Sequence, residues 1–117
     1  MLKLEKPKWI KIKTPWGRPS DEILSFKHKG KEVNFLPRHS RGHKISPSNI
    51  NFRANIDALK QSGVTDSVSV SAVGSLKENL DPGTFVLVDQ FIDRTFARKK
   101  TFFDEEIVAH VSMANPT

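Results

Sequence analysis

The chain has 117 residues, which is the length of one domain with an ordinary hydrophobic core. It contains no cysteine, so disulfide scaffolds, thiolate zinc sites and cysteine nucleophiles are excluded, and a cytoplasmic protein is expected. The net charge is +6, and residues 1–44 carry twelve basic and four acidic side chains, an imbalance that favours an anionic partner. The longest apolar run has four residues, and the lysine-rich start lacks the apolar segment of a secretory signal, so neither a membrane span nor a leader is expected.

The first third of the chain is predicted to form short strands. Residues 9–13 alternate apolar and lysine side chains and predict a strand, which proline and glycine end. Two further apolar runs, 23–26 and 33–36, flank a turn at Gly30. We expect these two runs to form a β-hairpin.

A helix is predicted over residues 47–62. Ser46 is a good capping residue, Pro47 suits the first helical position, and Gly63 suits the position just past the end. Apolar side chains between them recur at spacings of four and three, which indicates one apolar stripe.

The second half of the chain is predicted to add strands to a sheet. Valines that alternate with serines predict a strand over 67–72, and the apolar run 85–88 predicts another. Strand 33–36, the helix and strand 67–72 would form a right-handed βαβ unit with parallel strands, so the expected class is α/β in a single domain. Residues 94–104 show no periodicity and predict a loop.

Two predicted loops are candidates for a small-anion site. Residues 38–43 hold two arginines and two histidines directly after a strand, and arginine offers a planar fork of donors that suits phosphate oxygens. Residues 71–75 supply hydroxyl groups and a glycine that lets a ligand approach the backbone. Ligands bind beyond the carboxyl ends of parallel strands, where these two loops would lie side by side. The alternative is an exposed basic loop that binds nothing.

Other chemistries fit the sequence less well. His39 and His43 have the spacing of helical metal ligands, but Pro37 and Gly42 oppose a helix there and no carboxylate is near, so no metal site is predicted. The glycines are too far apart for a dinucleotide fingerprint or a P-loop.

Six blocks of the sequence resemble a known enzyme family when they are taken together and in order. They are Thr14–Asp21, Leu36–His43, Ser46–Ile56, Ser71–Leu76, Asp89–Thr95 and Ala109–Ala114. The chain resembles the methylthioadenosine branch of the trimeric purine nucleoside phosphorylases, a family of pentosyltransferases in purine salvage. The Pro-Ser pair at 47–48 points to that branch.

The resemblance implies phosphorolysis of a purine nucleoside. Inorganic phosphate, the co-substrate, would attack C1′ of 5′-methylthioadenosine, so that adenine leaves and methylthioribose 1-phosphate forms with no metal and no organic cofactor. The phosphate-binding residues of the family match Arg38, His39, Ser71 and Ala72. The histidine that reaches a neighbouring subunit of the homotrimer matches His110. No residue is assigned as catalytic.

The departures from the family imply a truncated chain. Residues 1–13 form a lysine-rich start where the family has a glycine-rich phosphate loop, and the purine-binding second half of the family has no counterpart here. Ser40 stands where a glycine is usual, and Asp57 where a tryptophan is usual. We therefore expect a partial phosphorylase-type mixed sheet that is inactive alone and pairs with a complementary C-terminal chain or with itself.

Two other functions fit the same residues. The first is a non-catalytic phosphate-binding remnant, or one subunit of a split phosphorylase. The second is a small basic nucleic-acid-binding protein, which the excess charge of the first third and the aromatic residues Trp9, Trp16 and Phe26 among lysines would support.

Overall fold

The structure is a computed structural model that describes residues 4–103, 105–114 and 116. The first three residues of the lysine-rich start and Asp104, the last residue of the predicted loop, lie outside the described residues. The chain divides into two compact units, Met1–Ser67 and Val68–Thr117. Every helix and strand found among the described residues belongs to the first unit.

The first unit contains a three-stranded antiparallel sheet with β2 in the centre. Its strands are β1 (Glu5–Ile10), β2 (Ile23–His28) and β3 (Lys31–Phe35). The predicted hairpin is confirmed, since β2 and β3 pair from Leu24 opposite Phe35 to His28 opposite Lys31. Lys29 and Gly30 form its two-residue turn with φ angles of 49° and 76°, the left-handed pair that suits a tight hairpin.

The first strand lies nearer the start of the chain than predicted. The sequence predicts residues 9–13, whereas β1 covers Glu5–Ile10. The last pair between β1 and β2 joins Ile10 to Ile23, where β2 begins. Residues 11–13 therefore have no partner strand to continue the ladder, although they keep the alternating pattern.

The helical region is divided in two. A 3₁₀ turn spans Pro47–Asn49, and the helix α1 covers Phe52–Gln61, with Ile50 extended between them at φ −68° and ψ 125°. Asn51 caps α1, because its side chain accepts a hydrogen bond from the backbone N–H of Ala54 at 3.1 Å. The predicted cap is corrected from Ser46, whose side chain makes no capping hydrogen bond.

The end of the helix agrees with the sequence. Ser62 closes α1, and Gly63 follows with φ 83°, the left-handed conformation that glycine adopts at least cost. Asp57, which stands where the resembled family has tryptophan, accepts a hydrogen bond from the Gln61 side chain one turn later at 2.7 Å. A polar side chain at position 57 is therefore accommodated on the helix surface.

Two asparagines fasten α1 to the segment that precedes β2. The Asn51 side-chain N–H donates to the carbonyl of Trp16 at 2.7 Å. Asn55 is buried and binds Ser20 twice, accepting from its backbone N–H at 2.7 Å and donating to its hydroxyl at 2.9 Å. Residues four apart share a helix face, so both amides reach the same segment. A side chain at Gly17, where φ is 99°, would come within 3.2 Å of the Asn51 amide.

The described part of the second unit contains neither a helix nor a strand. The predicted strands over 67–72 and 85–88 are not formed, and Val68, Phe85 and Leu87 are 90%, 94% and 97% exposed. The predicted parallel pair is therefore corrected: β3 pairs antiparallel with β2, and the βαβ unit lacks its second strand. Buried parallel strands need covered faces, whereas the side chains of both runs are exposed.

Local contacts order parts of the second unit. Asp93 accepts hydrogen bonds from the backbone N–H and the hydroxyl of Thr95 at 2.8 and 2.7 Å, and it pairs with Lys100 at 2.9 Å. These contacts span at most seven residues of chain. No helix in the described part of the protein is long and apolar enough to cross a membrane.

Candidate anion-binding site

Residues 37–45, called the 37–45 turn below, connect β3 to the 3₁₀ turn and carry the Arg-His pair. The backbone N–H of Ser40 donates to the carbonyl of Pro37 at 2.8 Å. The carbonyl of His39 accepts from the N–H groups of both Lys44 and Ile45, at 2.9 and 3.0 Å. The turn is thus closed on itself by backbone hydrogen bonds around His39.

The 37–45 turn requires left-handed backbone at three positions. Ser40, Gly42 and His43 have φ angles of 64°, 79° and 56°. Glycine adopts this region freely, whereas for other residues it costs roughly 1–2 kcal/mol. The left-handed φ at Ser40 gives a physical reason for the glycine that the resembled family carries there.

The hydrogen bonding of His39 determines which ring nitrogen can meet a ligand. Its Nδ1 lies 2.8 Å from the carbonyl oxygen of Ile45. Since a carbonyl only accepts, Nδ1 must carry the hydrogen, and Nε2 is the nitrogen left for a second partner. A neutral ring offers Nε2 as an acceptor, and a protonated ring offers it as a donor to an anion.

The two histidines of the turn are stacked and do not converge on a common point. The rings of His39 and His43 lie 4.6 Å apart at an angle of 8°. Parallel rings direct their nitrogens sideways, which does not suit two ligands of one ion. Within the described residues, no three histidine, aspartate or glutamate side chains group closely enough to hold a metal.

A carboxylate that the sequence analysis did not single out holds the 37–45 turn. Asp21 is only 8% exposed and accepts from the backbone N–H of Arg41 at 2.7 Å. The Arg41 guanidinium binds both carboxylate oxygens, with Nη2 at 2.9 Å from Oδ1 and Nε at 3.1 Å from Oδ2. Hydrogen bonds from the Arg41 side chain lower the pKa of Asp21 to about 2 against partial burial, so the carboxylate is ionised at neutral pH.

Arg41 also contacts two further residues. Its guanidinium lies 4.0 Å above the centre of the Trp9 ring and 3.3 Å from a carboxylate oxygen of Glu22. The arginine is therefore held between an aromatic face and two carboxylates. The sequence gives one indication of this ion pair, namely that Asp21 and Arg41 carry opposite charges and lie in two of the family-like blocks. Their separation of twenty residues gives no reason to pair them.

The aromatic side chains that supported a nucleic-acid-binding function are engaged within the first unit. Arg41 covers one face of Trp9, and Arg53 lies 4.7 Å from the centre of the Trp16 ring. Phe26 is half-buried in β2. Base stacking needs open aromatic faces. These contacts reduce the aromatic surface that a nucleic acid could use.

The predicted phosphate-binding residues are divided between the two units. Arg38 and His39 are adjacent and half-buried in the 37–45 turn of the first unit. Ser71, Ala72 and His110 belong to the second unit, where each is exposed and lies outside any helix or strand. The structure therefore places Arg38 and His39 side by side in one turn. That Ser71, Ala72 and His110 bind the same ligands stays a prediction.

Comparison with known proteins gives a consistent result along the chain. The family model described as the phosphorylase superfamily matches residues 2–117. An S-methyl-5'-thioadenosine phosphorylase from Cereibacter sphaeroides is 61% identical over 114 residues, which are 97% of this chain and 39% of that protein. One from Rhodospirillum rubrum is 61% identical over 113 residues, which are 97% of this chain and 38% of that protein.

Solved structures show the same similarity. A methylthioadenosine phosphorylase from an antarctic soil metagenomic library aligns with a TM-score of 0.95 and 52% identity, covering 99% of this chain and 40% of that one. The methylthioadenosine phosphorylase from Schistosoma mansoni, in complex with tubercidin, gives a TM-score of 0.89 and 40% identity, covering 95% of this chain and 41% of that one. The predicted α/β architecture of phosphorylase type is confirmed by this agreement. The chain spans about two fifths of the length of the curated relatives that it matches.

Proposed function

The chain belongs to the phosphorylase superfamily, and from this membership we propose that it is the phosphate-binding part of a 5′-methylthioadenosine phosphorylase. The observation that carries the proposal is the 61% identity to two S-methyl-5'-thioadenosine phosphorylases over 97% of this chain. In the proposed reaction inorganic phosphate displaces adenine from C1′ and forms methylthioribose 1-phosphate. This reaction would place the chain in purine salvage in the cytoplasm.

The 37–45 turn is the proposed phosphate contact of the first unit. Arg38 supplies positive charge and a fork of donors, and His39 supplies Nε2, because the Ile45 carbonyl occupies Nδ1. Ser71 and Ala72 are the proposed contacts of the second unit. His110 is proposed to face the 5′-substituent bound by a neighbouring subunit of a homotrimer.

The proposed reaction requires that the protein position phosphate and nucleoside, and it requires no reactive group on the protein. Phosphate is itself the nucleophile, and the transition state has oxocarbenium character. Held beneath the ribose, the phosphate attacks in an effectively unimolecular step, and its negative charge stabilises the developing cation. The residues of the 37–45 turn would perform this part of the work without a metal.

Asp93, which lies in one of the family-like blocks, is not suited to protonate the departing purine. Asp93 accepts hydrogen bonds from Thr95 and forms an ion pair with Lys100. The hydrogen bonds from Thr95 hold the pKa of Asp93 well below the usual range. It therefore stays ionised at neutral pH and cannot donate a proton. We propose that purine recognition and protonation come from the three fifths of the family's length that this chain does not span.

A second candidate function is a non-catalytic phosphate-binding subunit. The observation that favours it is that the 37–45 turn, which carries Arg38 and His39, is held by hydrogen bonds within the first unit alone. In that case the chain would bind phosphate through the 37–45 turn and release no base, whether or not a complementary chain is present.

The test compares adenine release by the full 117-residue chain alone and after mixing with the remaining C-terminal part of the Rhodospirillum rubrum relative. We expect no release from 5′-methylthioadenosine and phosphate by the chain alone, because we assign protonation of the purine to the part of the relatives that this chain does not span, and general acid catalysis by itself contributes about 10²–10⁴-fold. We expect phosphate-dependent release from the mixture. Release by the chain alone would contradict the proposed division of the site, and a silent mixture that still binds phosphate would favour the non-catalytic subunit.

A matched pair of variants links that activity to the turn. Arg38→Ala should reduce adenine release by the mixture by about 10–100-fold, which is the usual contribution of one charge-assisted contact. Lys60→Ala removes the same charge from the exposed end of α1 and should leave the rate unchanged. Equal losses in both variants would show a general charge effect and contradict the assignment of Arg38.

A further inference from the structure

One carboxylate gathers an unusual number of donors at the 37–45 turn. Asp21 Oδ2 accepts from the backbone N–H of Arg41 at 2.7 Å and lies 3.3 Å from the Ser40 hydroxyl. Its Oδ1 accepts from Nη2 of Arg41 at 2.9 Å and from the backbone N–H of Glu22 at 2.8 Å. Three of these four donors belong to two adjacent residues at the centre of the turn.

Two of these contacts are made at and directly after a strained position of the backbone. Ser40 has φ 64°, and Asp21 binds its side chain as well as the N–H of the following residue, Arg41. A non-glycine residue persists in this region only where its surroundings determine it. The Asp21 carboxylate contacts both the strained residue and the residue that follows it.

The strained position is next to the residue that would meet phosphate. The His39 carbonyl accepts from Lys44 and Ile45, and the His39 ring donates from Nδ1 to Ile45. All of these bonds depend on the chain reversal that Ser40 and His43 make. If the reversal relaxes, the ring is no longer held with Nε2 as its ligand-binding nitrogen.

We propose that Asp21 is a positioning residue of the phosphate site, which acts through Ser40 and Arg41 to hold the 37–45 turn in the conformation that presents Arg38 and His39. This inference rests on the proposed function for its ligand, inorganic phosphate. It assigns Asp21 no contact with phosphate or nucleoside. Arg41 is held by its two-point contact with Asp21 and by the Trp9 ring, so it supports the turn, and phosphate binding is assigned to Arg38 and His39.

Because Asp21 is negatively charged, the direction in which its removal changes phosphate affinity tests the proposal. A carboxylate near an anion site repels phosphate, so its removal should strengthen phosphate binding if only long-range electrostatics mattered. A positioning role gives the opposite result, since loss of the carboxylate loosens the turn and weakens binding. The direction of the change therefore separates the two explanations.

The main experiment measures the affinity of the full chain for inorganic phosphate by titration calorimetry at neutral pH. Asp21→Asn keeps the size of the side chain and removes its charge, and we expect phosphate affinity to fall by about 10-fold, the equivalent of one lost charge-assisted hydrogen bond. Glu22→Gln is the matched control, because it removes one negative charge from the adjacent residue, whose single contact to Arg41 is 3.3 Å. We expect its affinity to be unchanged or slightly increased. Equal or tighter binding by Asp21→Asn would overturn the proposal.

A second variant keeps the net charge constant. Arg41→Lys retains one positive charge but loses the fork that binds both oxygens of Asp21. We expect weaker phosphate binding in this variant as well, with no change in net charge to explain it. Unchanged affinity in Arg41→Lys would show that the paired contact to Asp21 does not position the site.

A measurement without phosphate separates this inference from the proposed function. Hydrogen–deuterium exchange of the peptide that covers the turn reports the Lys44 and Ile45 amides, which both donate to His39. Asp21→Asn should speed this exchange, and Glu22→Gln should not. If the unmodified chain binds no phosphate, the proposed function fails while this comparison still decides whether Asp21 holds the turn. Equal exchange in the two variants would overturn the positioning role.

Discussion

The Asp21 carboxylate is largely buried and yet ionised, because its hydrogen-bond partners stabilise the charge. A buried carboxylate is costly unless donors replace its water, and Asp21 receives them from Arg41, Glu22 and Ser40. Hydrogen bonds from the Arg41 side chain, together with those from the backbone N–H groups of Arg41 and Glu22, lower its pKa from 3.8 to about 2. A carboxyl group that is more acidic in the folded chain than in the unfolded chain stabilises the folded chain only while it is ionised.

The pKa of Asp21 predicts a specific acid sensitivity. Its contribution to the free energy of unfolding is complete above the unfolded pKa of 3.8 and is lost as the pH falls through about 2. The difference in unfolding free energy between the unmodified chain and Asp21→Asn should therefore be largest near about pH 5 and shrink towards about pH 2. Urea denaturation across that range measures it. A difference that stays constant with pH would contradict the ionised contact.

The start of α1 could be predicted from the sequence only in part. Ser46 and Pro47 have the residue types of a helix start, and they do begin a helical turn, the 3₁₀ turn at 47–49. The α-helix begins later, because the Asn51 side chain both caps it and binds Trp16, a residue 35 positions away. Local capping signals predicted the region and its end at Gly63, while the true start depends on a contact distant in sequence.

The two capping candidates give a matched test. Asn51→Ala removes the cap and the bond to Trp16, so we expect it to lower the free energy of unfolding by about 1–2 kcal/mol. Ser46→Ala should change it by less than about 0.5 kcal/mol, since its side chain caps nothing. Urea denaturation of both variants measures the difference. Equal losses would mean that Ser46 contributes as much as Asn51 and would contradict the assignment of the cap to Asn51 alone.

For the whole molecule, features that depend on contacts between residues close in sequence were predicted correctly, and features that depend on distant contacts were not. The β2–β3 hairpin depends on neighbouring residues and a two-residue turn, and it was predicted correctly. The runs 67–72 and 85–88 have strand patterns but form no strand, because a parallel strand requires distant partners and a covered surface. Similarly, Arg38 and His39 were found as a motif, whereas Asp21, which binds the neighbouring Ser40 and Arg41, was not, since no local pattern links residues twenty apart.

The exposed apolar side chains of the second unit predict self-association of the isolated chain. Phe85 and Leu87 are 94% and 97% exposed, and large exposed apolar surfaces in soluble proteins favour contact with other chains. Sedimentation velocity should show species that grow with concentration, and the double variant Phe85→Gln/Leu87→Gln should reduce them. The matched double variant Phe35→Gln/Ile56→Gln changes residues that are 54% and 52% exposed in the first unit and should have little effect. A chain that stays monomeric at all concentrations would contradict this prediction.

The absence of regular elements from the described part of the second unit has a consequence for how the chain melts. Cooperative unfolding draws its enthalpy and heat capacity from buried surface and from the hydrogen-bonded ladders that break together. The sheet and α1 all lie within Met1–Ser67, so we expect the calorimetric transition to come mainly from this unit. We therefore expect the described part of the second unit to contribute little to the heat absorbed when the chain unfolds.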